Sequence, residues 1–275
     1  MTRRVVVAWN GSAAAGEALE WAGRHYPEAE RIELVEVDGR GSRADPSHRD
    51  AEAAAEALRR QRPGAAVAVA HEHGDLVETL AGRTAPDALL VLGGREHEES
   101  RLGHRTSTAY RVVLDAEGPV AVVPQAFRGG SAVVVGIAGP HDDPCVVLSA
   151  AEEATRRHQR LVAVHVPKPL LGVGLGALPG ESVAQARELR DLERMVDDAL
   201  APVKERYPRL PVAKHVLRGR AADVLLAEAR SASLLVIGRD DAAPRDRRPV
   251  THGGMLLSPA PVVVVPPGTE LAQAS

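Results

Sequence analysis

Residues 5–11 read VVVAWNG and residues 133–139 read VVVGIAG; residues 89–93 read LLVLG and 234–238 read LLVIG; residues 119–124 read PVAVVP and 261–266 read PVVVVP. Three matching landmarks in one order mark a duplicated unit. The separation between copies is far longer than the repeat of a solenoid, so the unit is a whole domain. A chain of 275 residues has room for two domains at roughly 150 residues each. The expected modules span 1–127 and 131–268, joined through QAFRGG at 125–130.

Each copy alternates short β-branched runs with alanine-rich helical patterns. In the first, the strands are VVVAW (5–9), IELVEV (32–37), AVAVA (66–70), ALLVL (88–92) and VAVV (120–123). Between them, Ser12 is placed to cap a helix reaching His25, a second helix covers 46–60, Asp75 caps a third with Leu76 and Leu80 on one face, and a fourth covers 105–116. The second copy repeats the order, with strands at 133–137, 161–166, 212–217, 234–237 and 262–265. Its helices fall near 143–157, 182–206, 221–230 and 250–258, with an insertion at 169–181. Near-continuous Val/Leu strands are buried on both faces, as in a parallel sheet covered by helices. The fold class is α/β, with two tandem doubly wound five-stranded parallel sheets. Four branched residues in each last strand make an exposed edge hazardous. A tandem chain can cover both edges by laying 120–123 beside 262–265.

Bulk properties exclude several functions. Net charge is −3 and aromatics are 2% of the chain, so neither a basic field nor stacking platforms point to nucleic acid. One cysteine, Cys145, allows no internal disulfide and fits a reducing cytoplasm. The start, MTRRVVVAWNG, reads as a first strand rather than a leader, and no run approaches the ~18 apolar residues of a membrane span.

Taken in order, the strand-one turn, the Val-x-Gly ending strand four, the loop, the Ser and the Pro-Val-Ala-Val-Val strand resemble a tandem universal stress protein. The resemblance covers nearly the whole chain. It implies an ATP site at the carboxyl edge of each module, with the strand-one turn against adenosine and a glycine-rich loop around the phosphates. Glycines allow backbone N–H groups to approach phosphate, and a Ser at a helix start adds a donor where the dipole favours an anion. It also implies adenine nucleotide alpha hydrolase-like topology, antiparallel pairing of the last strands as an intrachain pseudo-dimer, and compatibility with a homodimer of such units.

Carried over residue by residue, the first copy keeps part of this pattern. The turn is Asn10-Gly11-Ser12, an amide where the family has an acid, and Val37 lines the adenine. Gly93 holds the first loop glycine, Arg95 follows, and Ser107 is intact. Glu96 and Thr106 replace the other two glycines, and Glu98 and Glu99 add negative charge that Arg95, Arg101 and Arg105 partly offset. In the second copy the turn is Ala138-Gly139-Pro140, Gly238 runs into Arg239-Asp240-Asp241, and Arg248-Pro249 stands at the Gly-Ser position. Proline supplies no N–H. The expected ATP site is therefore Asn10, Gly11, Ser12, Val37, Gly93, Arg95 and Ser107, in the first module only, with no cofactor in the second.

Other signals have plainer readings. Gly172-Val173-Gly174-Leu175-Gly176 lacks the dinucleotide spacing and reads as a loop. His71-Glu72-His73, with His97 and His104, reads as surface histidines, strand alternation being expected to separate His71 from His73; no metal is expected. Trp9 reads as core packing and Cys145, beside Asp142 and Asp143, as an inert thiol. Leu189, Leu192, Met195 and Leu200 read as a core stripe behind a charged face. No catalytic constellation is present. The expected function is regulatory, by nucleotide sensing; a scaffold that binds protein and no nucleotide is the rival, and a weak ATPase is a third reading.

Overall fold

The computed structural model describes residues 4–38, 47–94, 108–140, 143–167, 181–239 and 258–269. The front half contains β1 (Arg4–Ala8), α1 (Ala13–His25), β2 (Arg31–Asp38), α2 (Ser47–Gln61), β3 (Ala66–His73), α3 (Leu76–Ala81), β4 (Ala88–Gly93), α4 (Thr108–Asp115) and β5 (Val120–Val123). The back half contains β6 (Ala132–Ile137), α5 (Pro144–Arg156), β7 (Arg160–His165), α6 (Glu181–Ala199), α7 (Ala201–Arg206), β8 (Val212–Val216), α8 (Ala221–Ala229), β9 (Ala232–Gly238) and β10 (Val262–Val265). The strands form one ten-stranded sheet in the order β3-β2-β1-β4-β5-β10-β9-β6-β7-β8.

Within each half the named strands pair in parallel, and the one antiparallel ladder between named strands is β5 with β10, where Ala121 lies opposite Val263. The two five-stranded parallel modules are thus joined edge to edge by their last strands, 120–123 beside 262–265, as expected from the sequence. The continuity is made by the last-strand pairing itself. The duplication survives it, because the order 3-2-1-4-5 recurs in reverse beyond the seam.

One apolar cluster covers each face, and both cross the seam. The first face packs α1, α2, α5, α6 and α7 on alternate residues such as Val5, Leu34, Val91, Val135 and Val236. The second packs α3, α4 and α8 on Val6, Val35, Leu90, Val134 and Leu235. Most of these strand side chains are completely buried, each removal from water being worth about 1.5–3 kcal/mol.

Local signals hold at most helix starts. Ser12 Oγ accepts from Ala15 N at 3.2 Å, and Asp75 Oδ1 accepts from Val77 N and Glu78 N at 2.9 and 3.0 Å. Three expectations are corrected. Leu76 is exposed, and α3 buries Val77 and Leu80 instead. The long helix near 182–206 is split at Leu200, where Pro202 sits in the first turn of α7 and has no N–H to continue α6. Leu189 is exposed, so the buried stripe begins at Val196 and continues through Leu200 and Val203. The helix expected near 250–258, the start of the one at 105–116 and the insertion at 169–181 lie outside or largely outside the described residues.

Candidate functional site

In an open sheet the ligand crevice forms at the carboxyl ends of strands where order reverses, since the chain leaves neighbouring strands toward opposite faces. That point lies between β1 and β4, whose following helices, α1 and α4, cover opposite faces. Its counterpart lies between β6 and β9.

The front crevice is edged by the turn that follows β1. Gly11 has φ +70°, a left-handed conformation natural to glycine. With the chain turned there, Asn10 Oδ1 accepts from Ser12 N at 3.2 Å and from Ser12 Oγ at 2.7 Å. The Ser12 hydroxyl then caps α1. No acid lies in the first turn of α1, so its dipole is open to an anion. Across the crevice a Cβ on Gly93 would come within 2.5 Å of the Ala14 backbone. Gly93 is therefore required by helix packing as well as by any ligand.

Asn10, Gly11, Ser12 and Gly93 are thus brought together. Val37 sits one strand away, half-buried on the second face among Ala8 and Ala70. Arg95 and Ser107 lie outside the described residues, as do Glu96, His97, Glu98, Glu99 and His104. Trp9 packs partly against the first-face core, as expected.

At the back crevice a side-chain carboxylate stands at the helix start. Gly139 lacks the left-handed twist of Gly11. Asp143 occupies the start of α5, accepting from Cys145 N at 2.9 Å and from Gly268 N at 2.7 Å. Burial disfavours its charge, but those amides outweigh it and hold its carboxyl below the usual range. A carboxylate therefore already fills the place an anion would take. Next to it is a cavity of about 390 Å³ bordered by Pro140, Asp143, Asp191, Arg194 and Asp198. Three acids against one arginine give it a negative balance of charge.

The histidines settle differently from the expectation. His71 and His73 are two apart on β3 and share a face. His71 Nδ1 lies 2.9 Å from Glu36 Oε2, and His73 Nδ1 lies 3.9 Å from Asp38 Oδ2. Among the described residues, no group of three or more His, Cys, Asp or Glu is arranged to hold a metal ion.

Sequence reasoning missed two clusters. One joins Tyr26, at the end of α1, to Glu153, Arg156 and Arg157 of α5. The other is Arg239, which reaches from β9 into the front half. An acidic residue on the apolar side of α5 could have signalled the first; nothing in the sequence signals the second.

Comparison with known proteins agrees with this fold. Residues 131–266 match the model of the universal stress protein family. Universal stress proteins of Mycobacterium bovis and Mycobacterium tuberculosis are each 32% identical over 235 residues, covering 82% of this chain and 72% of theirs. A solved universal stress protein of Archaeoglobus fulgidus, 16% identical, superposes with a TM-score of 0.66 over 97% of both chains. No helix among the described residues is long and apolar enough to cross a membrane.

Proposed function

This chain belongs to the universal stress protein family, and from that premise we propose that it is a non-catalytic stress-response regulator that binds ATP in its front half alone. The two halves are read as copies of one module, 1–127 and 131–268, of which the first retains its ligand. Asn10, Gly11 and Ser12 meet the adenosine, with Val37 beside the adenine. Gly93, Arg95 and Ser107 meet the phosphates. A reducing cytoplasm suits a chain with one cysteine.

The observation that carries this reading is the contrast between the two crevices. In front, a left-handed glycine, a neutral amide–hydroxyl turn and a helix start without acids put no negative charge where an anion would sit. Behind, a carboxylate caps the helix that an anion would need.

Calorimetric titration of the full chain with ATP and Mg²⁺ tests it. Saturable binding is expected, weakened roughly tenfold or more in Ser107→Ala by loss of a hydrogen bond to charged phosphate. No heat at millimolar ATP would make the chain an interaction scaffold instead. Phosphate release equal to that of Ser107→Ala would remove the weak-ATPase reading.

A further inference from the structure

The antiparallel seam has a geometric consequence. It points the carboxyl edge of the back half the same way as the amino edge of the front half. α4 connects two parallel strands, β4 and β5, so it runs back across the sheet. Its start therefore faces the carboxyl edge of the front half and its end the carboxyl edge of the back half.

Arg239 occupies that meeting point. It follows Gly238 at the end of β9, and its backbone N–H donates to Val265 O at 2.8 Å. Its side chain leaves its own crevice: Nη1 donates to Val113 O at 2.8 Å and to Ala116 O at 2.5 Å. These carbonyls lie in the last turn of α4 and just beyond it, where no intrahelical donor remains. A guanidinium there also faces the negative end of the helix dipole.

The corresponding front-half residue is Gly94, whose N–H donates to Val123 O at 2.7 Å in the same backbone pattern. Glycine has no side chain to reach across, and even a Cβ there would stand 3.1 Å from Val123 O. The strap is therefore one-sided, from the back half to the front. Its target is short: α4 has eight residues, too few to be stable without its packing and its end contacts. Its first residue, Thr108, directly follows Ser107.

We propose that Arg239 is a positioning residue for the front-half nucleotide site, holding α4 by its C-terminus so that the opposite end stays in register with the phosphates. The proposal rests on the reading that the front half binds ATP. Arg239, the first residue after β9, acts here as a brace for the other half. The two halves are then coupled, because any change that draws Arg239 away lowers affinity at the far end of α4.

The test compares full-length wild type with Arg239→Met, Arg239→Lys and, as a control for losing an exposed arginine, Arg218→Met. Two quantities are measured: amide hydrogen exchange across residues 108–116, and ATP·Mg²⁺ affinity by calorimetry. Arg239→Met is expected to speed α4 exchange and to weaken ATP roughly three- to tenfold, the scale of a lost charged helix cap. Arg239→Lys restores part of both, and Arg218→Met changes neither. If wild type binds ATP and Arg239→Met binds it equally well, the proposal is overturned, even where α4 exchange accelerates, for the contact is then structural only. If wild type itself gives no heat, the nucleotide reading is what has failed, and the positioning role goes with it.

Discussion

Glu153 lies on the buried side of α5, between Ala150 and Ala154, where helical periodicity calls for an apolar residue. It accepts from Tyr26 Oη at 3.0 Å, from Arg156 Nη1 at 2.6 Å and from Arg157 Nη2 at 2.9 Å. Arg156 also stacks over the Tyr26 ring at 4.8 Å, and Arg157 over Trp21 at 5.5 Å. Burial opposes the charge on Glu153, but the two guanidinium groups outweigh it and hold the carboxyl below its usual range. Removing that carboxylate takes from the buried Arg157 its carboxylate partner, while Arg156 keeps Glu152 at 3.0 Å, so Glu153→Ala is expected to cost about 3 kcal/mol in denaturant unfolding. Tyr26→Phe, which removes one neutral donor, should cost only about 1 kcal/mol. The same cluster predicts a pH response. Burial, and then the Arg157 charge, lower the pKa of His25 from 6.5 to about 4. Between those values the unfolded chain binds more protons than the folded one, so stability falls as pH drops through that window. His25→Phe keeps the ring against Trp21 and should flatten the slope between pH 6.5 and 4.5; an unchanged slope would show the response to lie elsewhere. Glu153 pulls in the same direction, but only at lower pH, as its depressed carboxyl takes up a proton.

At the scale of elements, the front crevice is set by how closely α1 meets the end of β4. A methyl group on Gly93 would overlap the Ala14 carbonyl at 2.5 Å, whereas one on Gly238 meets only the movable Val146 Cγ2 at 3.1 Å. Gly93→Ala should therefore lower stability by about 1–3 kcal/mol or more, and clearly more than Gly238→Ala; equal thermal midpoints would contradict the packing. For the same reason Gly93 variants are poor probes of nucleotide binding. The order of elements was legible in the sequence because β-branched runs and capping residues act locally: Ser12, Asp75 and Asp143 each hold the helix start beside them. What escaped depends on distant partners. Pro202 is helix-compatible in a first turn, so its break at Leu200 becomes visible only when α6 and α7 are seen to end and begin there. The common face of His71 and His73 was readable from strand periodicity alone, and misjudging it was an error of reasoning. The reach of Arg239 was not readable, since nothing in its neighbourhood of sequence names the carbonyls of Val113 and Ala116, more than a hundred residues away.

At the scale of the whole molecule, the question is whether two copies joined by four-residue strands unfold as one body. The β5–β10 ladder is short, but both apolar clusters run across it without interruption. The Glu153 cluster adds a polar tie on the first face, and Arg239 adds one to the second-face helix α4. Shared burial of this kind makes the loss of one half expose surface on the other, which favours a single transition. The chain carries its own reporter for this. Its two tryptophans, Trp9 and Trp21, both lie in the front half, so their fluorescence follows that half, while far-UV circular dichroism follows both. In urea the two signals should coincide for the wild type, as two-state unfolding requires. Ala121 faces Val263 across the seam and both are buried; Ala121→Glu places an unpaired carboxylate between the copies, at a cost of several kcal/mol. In that variant the fluorescence transition should move to lower urea than the circular dichroism midpoint, splitting one curve into two. Signals that already diverge in the wild type would mean that the seam joins the halves without coupling them, and the influence of Arg239 would then have to travel through α4 alone.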